Sequence, residues 1–175
     1  MTNQMAIRLV RSPESMNVSE GDPFFDVVQE ITELIGRRAY ELFEISGSVH
    51  GRDRENWLQA QSEVLLDAPV EISETESGFT ILADVPGCSE NDLEVRVSPT
   101  SLCISGSRPQ PAEQREEKIV YAERLSNRIF RLLTLPSEIN TEKVFASVAN
   151  GVLQVQLLKA GFGKKVPVLA KAVGA

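Results

Sequence analysis

The chain has 175 residues, of which 42% are hydrophobic and 25% are charged, and its formal net charge at pH 7 is −7. These values suit one medium-sized globular domain with extensions. A negative net charge argues against nucleic acid as the main partner, because phosphate binding needs clustered Lys and Arg. No apolar run approaches the roughly 20 residues that cross a bilayer, and the N-terminus lacks the layout of a secretory signal, so we expect a cytoplasmic protein with no membrane partner.

The first 66 residues are predicted to be an arm followed by two helices. Residues 1–22 mix Ser, Asn, Pro, Glu and Gly without periodicity, which predicts a flexible arm. Asp22 and Pro23 favour a helix start, apolar residues then recur at three- and four-residue steps, and Gly47 is expected to end the helix. A second helix is predicted from Asp53, so residues 23–66 form a helical hairpin module. The apolar side of the second helix is expected to contain Trp57, Leu58, Gln61, Val64 and Leu65.

From Pro69 the apolar period changes from 3.6 residues to two, which predicts an antiparallel β-sandwich over residues 69–159. Asn150-Gly151 fits a two-residue type I′ hairpin turn, because both residues accept positive φ. The predicted fold is therefore mainly β, an immunoglobulin-like sandwich preceded by a helical hairpin. Residues 160–175 are expected to be a flexible tail. The candidate strands are 70–74, 79–84, 92–98, 101–106, 118–122, 128–135, 144–149 and 152–158.

No catalytic, metal or cofactor constellation is predicted from the sequence. The one histidine, His50, lies in a predicted loop, and there is no phosphate-binding loop to support use of ATP. Cys88 and Cys103 lack metal-ligand spacing and are expected to be reduced thiols, in a turn and in a strand respectively. We therefore expect a protein that is not an enzyme and needs no cofactor.

Several motifs in one order resemble the α-crystallin domain of small heat-shock proteins. The resemblance covers residues 69–159 and a short tail motif. It implies an ATP-independent holdase chaperone that binds partly unfolded clients and prevents their aggregation. The motifs are Ala83-Asp84-Val85-Pro86-Gly87, Leu102-Cys103-Ile104-Ser105-Gly106, Glu123-Arg124, Phe130-Arg131, Leu135-Pro136 and Ala146-x-x-x-Asn150-Gly151-Val152-Leu153.

The resemblance also implies a homodimer formed by strand exchange, and self-association into a larger oligomer. The exchanged strand is expected at Ile119, Val120 and Tyr121, after a charged loop at 107–117, and Arg131 is expected to support the subunit interface by ion pairing. An ordinary surface loop is the alternative for this segment. The main functional alternative is a β-sandwich co-chaperone or adaptor that binds native partner proteins, which would need neither the exchange loop nor a tail anchor.

The tail contains Val166-Pro167-Val168, and the family docks a similar tripeptide into the edge groove of a neighbouring sandwich. Proline fixes φ, so the two valines project from a rigid segment. The groove is expected between strands 92–98 and 144–149, lined by Val95, Val97 and Val148. A tail without structure is the alternative, and the lysines at 164, 165 and 171 fit either self-association or simple solubility.

The hairpin resembles a small bacterial helical domain of unknown function, through 37–43, 50–53 and 57–58. A DNA-binding helix pair is disfavoured because residues 1–68 are net acidic. The apolar faces of two helices need a partner, which is the sandwich, another subunit or an unfolded client. The candidate client-binding or assembly residues are Phe24, Val28, Ile31, Leu34, Trp57 and Leu58.

Overall fold

A computed structural model describes residues 9–10, 22–109 and 127–161 of the chain. In these ranges two helices are followed by antiparallel strands that form two four-stranded sheets, as the sequence predicts. The elements are β1 (Leu9–Val10), α1 (Phe25–Ile45), α2 (Asp53–Val64), β2 (Val70–Glu74), β3 (Gly78–Asp84), β4 (Leu93–Ser98), β5 (Ser101–Ser107), β6 (Arg128–Thr134), β7 (Ile139–Ala149) and β8 (Val152–Lys159).

Helix α1 begins later than expected and ends as expected. Its N-cap is Phe24, whose N–H donates to the Asp22 carboxylate at 2.9 Å, so Asp22 shapes the turn before the helix. At the other end Gly47 has φ +82° and donates to the Glu44 carbonyl, and the Ser48 N–H donates to the Phe43 carbonyl. This is the paired bonding of a Schellman end, which requires the left-handed conformation that glycine adopts most readily.

Helix α2 packs most of its predicted apolar side against the hairpin cluster, with Leu58 as the exception. Trp57 and Val64 of α2 and Leu65 at its C-cap are partly buried there. Asn56 and Ala60 are buried, whereas Leu58 is 51% exposed. Residues four apart share one side of a helix, and Leu58, two positions after Asn56, lies on the other side. Asp53 is the first helical residue, and the N-cap position belongs to Arg52.

The two sheets have the strand orders β1-β6-β5-β4 and β2-β3-β8-β7, and every pairing within them is antiparallel. The strands expected between 70 and 106 and after 128 are present within a few residues, although β7 begins five residues earlier than expected. Strand β1 pairs with β6 in a segment where an arm without structure was expected. The expected strand 118–122 lies outside the described residues.

The backbone conformation explains why two of the sequence motifs contain glycine. Asn150 and Gly151 have φ +52° and +77° and join the paired residues Ala149 and Val152, so the predicted two-residue hairpin turn is confirmed. A Cβ at Gly106 would lie 2.3 Å from the Asp92 carbonyl oxygen. The glycine in the β5 motif is therefore required by the close approach of the main chain.

Strand β7 is interrupted within its own ladder. Ile139 pairs with Lys159, but the next paired residue is Val144, opposite Leu157. Five residues of β7 therefore correspond to two of β8, and the uninterrupted part of β7 runs from 144 to 149.

Two apolar clusters stabilise the fold. The first fills the space between the sheets with residues of both inner faces, such as Ile81, Ile104 and Val155, all fully buried. The second lies between the hairpin and the outer face of the β1-β6-β5-β4 sheet. This sheet is therefore covered on both faces.

Candidate functional surfaces

The outer face of the β1-β6-β5-β4 sheet is apolar and is covered by the helical hairpin. Strands β5 and β6 contribute Cys103, Phe130 and Leu132, which are 0%, 2% and 9% exposed. The helices cover them with buried apolar side chains, which are Phe24, Val27, Val28, Ile31, Ile35, Leu42 and Ala60. Burial of this many side chains makes apolar contact the main force that holds the hairpin in place.

Most of the hairpin residues predicted as a client-binding or assembly surface belong to this buried cluster. Phe24, Val28 and Ile31 are buried, and Leu34 and Trp57 are partly buried against the cluster. Only Leu58 of the six points to solvent. Of the three partners weighed for the hairpin, the structure places the chain's own sandwich against it.

Polar contacts at the margin of this interface join the helices to the strands. Arg96 of β4 donates to the Asp26 carboxylate at 2.5 Å, and Arg128 of β6 pairs with Glu30. The hydrogen bond from Arg96 lowers the pKa of Asp26 below its usual value. Both acidic partners are more than half exposed, and exposed ion pairs contribute little to stability.

Cys103 lies under the hairpin and is chemically shielded. Its side chain is fully buried, and burial raises the pKa of the thiol to about 12. Cys88, in the turn before β4, is only partly buried, and burial followed by the nearby Asp92 carboxylate raises its pKa as well. A neutral thiol is a poor nucleophile, so Cys103 is unreactive while the hairpin covers it.

A second surface lies between the edge strands of the two sheets. Strands β4 and β7 each stand at the end of their sheet and approach one another. A cleft of about 300 Å³ lies there, with Val95 of β4 and Val148 of β7 in its wall. Val97, predicted to line the same groove, packs partly buried against the inner core and is not among the residues that line the cleft. The edges of β4 and β7 that face away from their sheets have main-chain groups that a further strand could bind.

Arg131 makes its described polar contacts within the chain. Its Nε donates to the Ala68 carbonyl at 2.7 Å, and a terminal nitrogen donates to the Asp67 carboxylate at 3.0 Å. The Arg131 side chain is 11% exposed, whereas Asp67 is 88% exposed. The guanidinium therefore joins β6 to the segment that connects α2 to β2.

Three sets of predicted features lie outside the described residues. These are the exchange strand at Ile119, Val120 and Tyr121, the tail anchor at Val166 and Val168, and most of the arm at 1–22. Within the described ranges, no three His, Cys, Asp or Glu side chains are grouped as a metal site. None of the helices found there is both long and apolar enough to span a membrane.

Comparison with known proteins identifies the family. The model of the Hsp20/alpha crystallin family matches residues 71–168, more than half of the chain. The chain belongs to this family of chaperones, the small heat-shock proteins. The matched range contains β3–β8 and all of β2 except its first residue, so it includes strands of both sheets of the sandwich.

Relatives and one solved structure agree with this membership. Small heat shock protein C2 of Rickettsia felis is 29% identical over 54% of the chain, which spans about three fifths (61%) of that relative's length. The 17.8 kDa class I heat shock protein of Arabidopsis thaliana is 31% identical over 62% of the chain and 69% of its own length. Heat shock protein 16.0 from Schizosaccharomyces pombe, 24% identical, has the same fold at a TM-score of 0.50, over 61% of this chain and 98% of that chain.

The hairpin of this small heat-shock protein matches a separate family model. Residues 30–65 match the Protein of unknown function (DUF2934). The match covers most of α1 and all of α2, as the sequence resemblance predicts, and it names no activity. The chain thus combines an α-crystallin sandwich with a helical module that has no assigned role.

Sequence reasoning missed the apolar outer face of the β1-β6-β5-β4 sheet. The signal was present as two runs of consecutive apolar residues, Leu102-Cys103-Ile104 and the segment 129–133, which Arg131 interrupts. Strict alternation predicts a half-buried strand, whereas a continuous apolar run is typical of a strand that is covered on both faces. In β5 the four residues from Leu102 to Ser105 are all buried.

Proposed function

We propose that this small heat-shock protein is an ATP-independent holdase, which binds partly unfolded proteins and prevents their aggregation. The observation that carries the proposal is the apolar outer face of the β1-β6-β5-β4 sheet, which only a separate helical module covers. A holdase needs apolar surface that is hidden at rest and can be exposed under stress. Binding without turnover needs neither a catalytic residue nor a nucleotide.

The contacts between the hairpin and the sheet support release by heat. The apolar cluster supplies most of the attraction, and the ion pairs at its margin are exposed to solvent. Opening would uncover Phe130 and Leu132 on the sheet and Ile31 and Ile35 on α1. The sandwich would keep its own core during this opening, because its first cluster is separate from the second.

Self-association is part of the same proposal. The segment Ile119-Val120-Tyr121 would pair with the sandwich of a partner subunit, with Arg131 at the interface. Strand addition at a sheet edge supplies main-chain hydrogen bonds between subunits. The two contacts of Arg131 with Asp67 and Ala68 support this role by holding the guanidinium at the surface of β6.

Docking of the tail completes the proposed assembly. Val166 and Val168 of one subunit would enter the cleft between β4 and β7 of a neighbour, in contact with Val95 and Val148. The cleft offers apolar side chains from both strands, and among the described residues each of these strands is the end strand of its sheet. Val97 is omitted from the proposed contact, because it does not line the cleft.

Light scattering from a heated test enzyme examines the holdase proposal. Citrate synthase would be heated alone, with this protein, and with the same mass of serum albumin, each without ATP and then with ATP. We expect suppressed scattering at near-stoichiometric ratios only with this protein, and no change on addition of ATP. Scattering equal to that of the albumin control across all temperatures would overturn the proposal and favour the co-chaperone alternative.

A further inference from the structure

A second cleft, of about 410 Å³, lies between α1 and α2 in the module of unassigned role. Its wall contains Tyr40, Phe43, His50, Asp53, Asn56 and Trp57. The ring centroids of Tyr40 and Phe43 are 6.2 Å apart, and those of Phe43 and His50 are 5.5 Å apart. Four aromatic or imidazole rings therefore line one concave surface on the hairpin.

Two polar atoms lie behind this wall without an acceptor among the described residues. Asn56 is only 6% exposed, and its Nδ2 is buried without a partner. The indole Nε1 of Trp57, the next residue, is also buried and unpaired. Because neither atom is accessible to solvent, neither is available to a ligand, and recognition in this cleft depends on the rings and on Asp53.

The carboxylate of Asp53 also lies in the wall of this cleft. Asp53 is exposed, and no basic side chain in the described part of the chain pairs with it. Residues 22–66 contain nine Asp and Glu against four Lys and Arg, so the whole module is acidic. Aromatic faces beside a carboxylate attract a cation, both by charge and through the electron-rich ring faces.

The cleft is open while the hairpin covers the sheet. Tyr40 is 60% exposed, and His50 and Asp53 are exposed as well. Ile45, Val49 and Leu58 of the same module are each about half exposed or more, so the surface outside the cluster is also apolar. A ligand can therefore reach this site without opening the hairpin.

We propose that the cleft between α1 and α2 binds a Lys or Arg side chain in an exposed segment of an unfolded client. The rings take the alkyl stem and the cation, and Asp53 takes the charge. This assignment rests on the proposed holdase function, since an unfolded client supplies the segment. It gives the hairpin a role of its own, as a site that selects basic segments before the sheet face is exposed.

The test measures binding of two matched peptides to the full chain by fluorescence anisotropy. The first is fluorescein-labelled Gly-Ala-Leu-Lys-Leu-Ala-Gly amide, and the second has Gln in place of Lys. We expect the Lys peptide to bind about tenfold more tightly than the Gln peptide, because a partly desolvated contact between a cation and aromatic rings has about this strength. Trp57 is the one tryptophan of the chain, so its emission reports occupation of the cleft directly with unlabelled peptide.

Three variants separate the parts of the site. Asp53→Asn should reduce binding of the Lys peptide to the level of the Gln peptide, whereas Glu44→Gln, which removes an exposed carboxylate of α1 outside the cleft, should change neither. Trp57→Phe keeps an aromatic ring in the wall of the cleft, so the preference for the Lys peptide should remain. Circular dichroism would verify that each variant retains its helices.

Equal affinity for the two peptides, or an Asp53→Asn variant that still prefers Lys, would overturn the proposal even if the protein suppresses aggregation. Suppression can thus persist when the cleft proposal fails. If the Lys preference is found but the protein suppresses no aggregation, the client is the wrong occupant and the holdase proposal fails separately. A third peptide, residues 160–175 of this chain, tests the other source of lysines: tighter binding of this peptide than of the Lys peptide would identify a second copy as the occupant and overturn the client assignment.

Discussion

The two sheets of the sandwich differ in how many of their faces are covered. In β3 and β8 of one sheet, buried positions alternate with more exposed ones, whereas in β5 and β6 of the other, consecutive residues are buried. The inner faces of both sheets meet in one core, but among the described residues only the β1-β6-β5-β4 sheet has helices on its outer face. This sheet thus carries a second apolar face in addition to the one in the core.

The largest loss of stability is expected when a glycine that lies close to the main chain of a neighbouring strand is replaced, in either sheet. A Cβ at Gly106 of β5 would lie 2.3 Å from the Asp92 carbonyl oxygen, and a Cβ at Gly78 of β3 would lie 2.0 Å from the Leu157 carbonyl oxygen. Because main-chain atoms would have to move, we expect Gly106→Ala and Gly78→Ala each to lower the free energy of unfolding by roughly 3 kcal/mol or more. Urea denaturation measures both.

Gly36→Ala is the matched control for these glycines. Its added Cβ would be 3.7 Å from the Trp57 ring, an ordinary contact, and alanine favours the helix by about 0.5–1 kcal/mol. If Gly106→Ala is as well tolerated as Gly36→Ala, the close approach of β4 and β5 is not required by the fold.

The second prediction compares the stability lost when a side chain is removed from the outer face of each sheet. Phe130→Ala removes a buried ring from beneath the hairpin, so we expect a loss of about 3 kcal/mol by thermal unfolding. Gln156→Ala on β8 removes a side chain that is exposed on the outer face of its sheet, so it should change stability by less than about 0.5 kcal/mol. Equal losses at the two positions would contradict the difference between the sheets.

Phe130→Ala also reports on hairpin opening. In a Cys88→Ser background, Cys103 is the one remaining thiol, and it should react with a thiol reagent faster in the Phe130→Ala variant than in the parent. Labelling that is no faster in the variant, at temperatures well below its unfolding, would show that the face opens only when the whole chain unfolds.

Arg131→Gly tests whether β6 contributes to assembly as well as to the single chain. Loss of the charged donor leaves the buried Ala68 carbonyl unpaired, so we expect about 2 kcal/mol of destabilisation. Asp67→Asn is the milder control, because that carboxylate is largely in solvent. If the proposed interface role is right, size-exclusion chromatography with light scattering will show a smaller oligomer for Arg131→Gly. An unchanged mass together with the loss of stability would restrict Arg131 to its contacts within the chain.

The smallest effect concerns Cys103 in alkaline solution. The pKa of the thiol is about 12 when folded and about 9 when unfolded, so above pH 9 the unfolded chain binds fewer protons than the folded chain. Stability should be unaffected below pH 8 and should fall above pH 9, by about 1.4 kcal/mol at pH 10 from this group. Denaturation of Cys103→Ala beside the parent isolates this contribution, and an identical pH dependence in the two proteins would contradict it.

The sequence predicted the strands better than it predicted the surfaces that those strands present. The Asn150-Gly151 turn and the period of two correctly placed β8 and the uninterrupted part of β7, from 144 to 149, because local turn chemistry and alternation fix a hairpin. Alternation of apolar and polar residues predicts one buried face for each strand. The burial of Phe130 and Cys103 under the hairpin, on the second face, was therefore missed. Leu58 was misassigned because, on a short helix, several apolar faces fit one sequence and the partner decides which is buried.

The two clefts also differ in how far the sequence predicts them. The cleft between β4 and β7 lies where the family resemblance implied a groove, and two of the three valines named for it, Val95 and Val148, line it. The cleft between α1 and α2 depends on how two helices meet across a linker, and the unpaired N–H groups of Asn56 and Trp57 become visible only in three dimensions.

The interruption of β7 limits the length of any strand that can add to that edge. Beside the cleft, the regular part of β7 extends only from 144 to 149, and Glu142 and Lys143, both exposed, precede it in the interruption. A longer strand would lose its main-chain register there and would meet charges of both signs. The regular edge of β7 therefore has room for a short added strand and is too short for open-ended stacking of sheets.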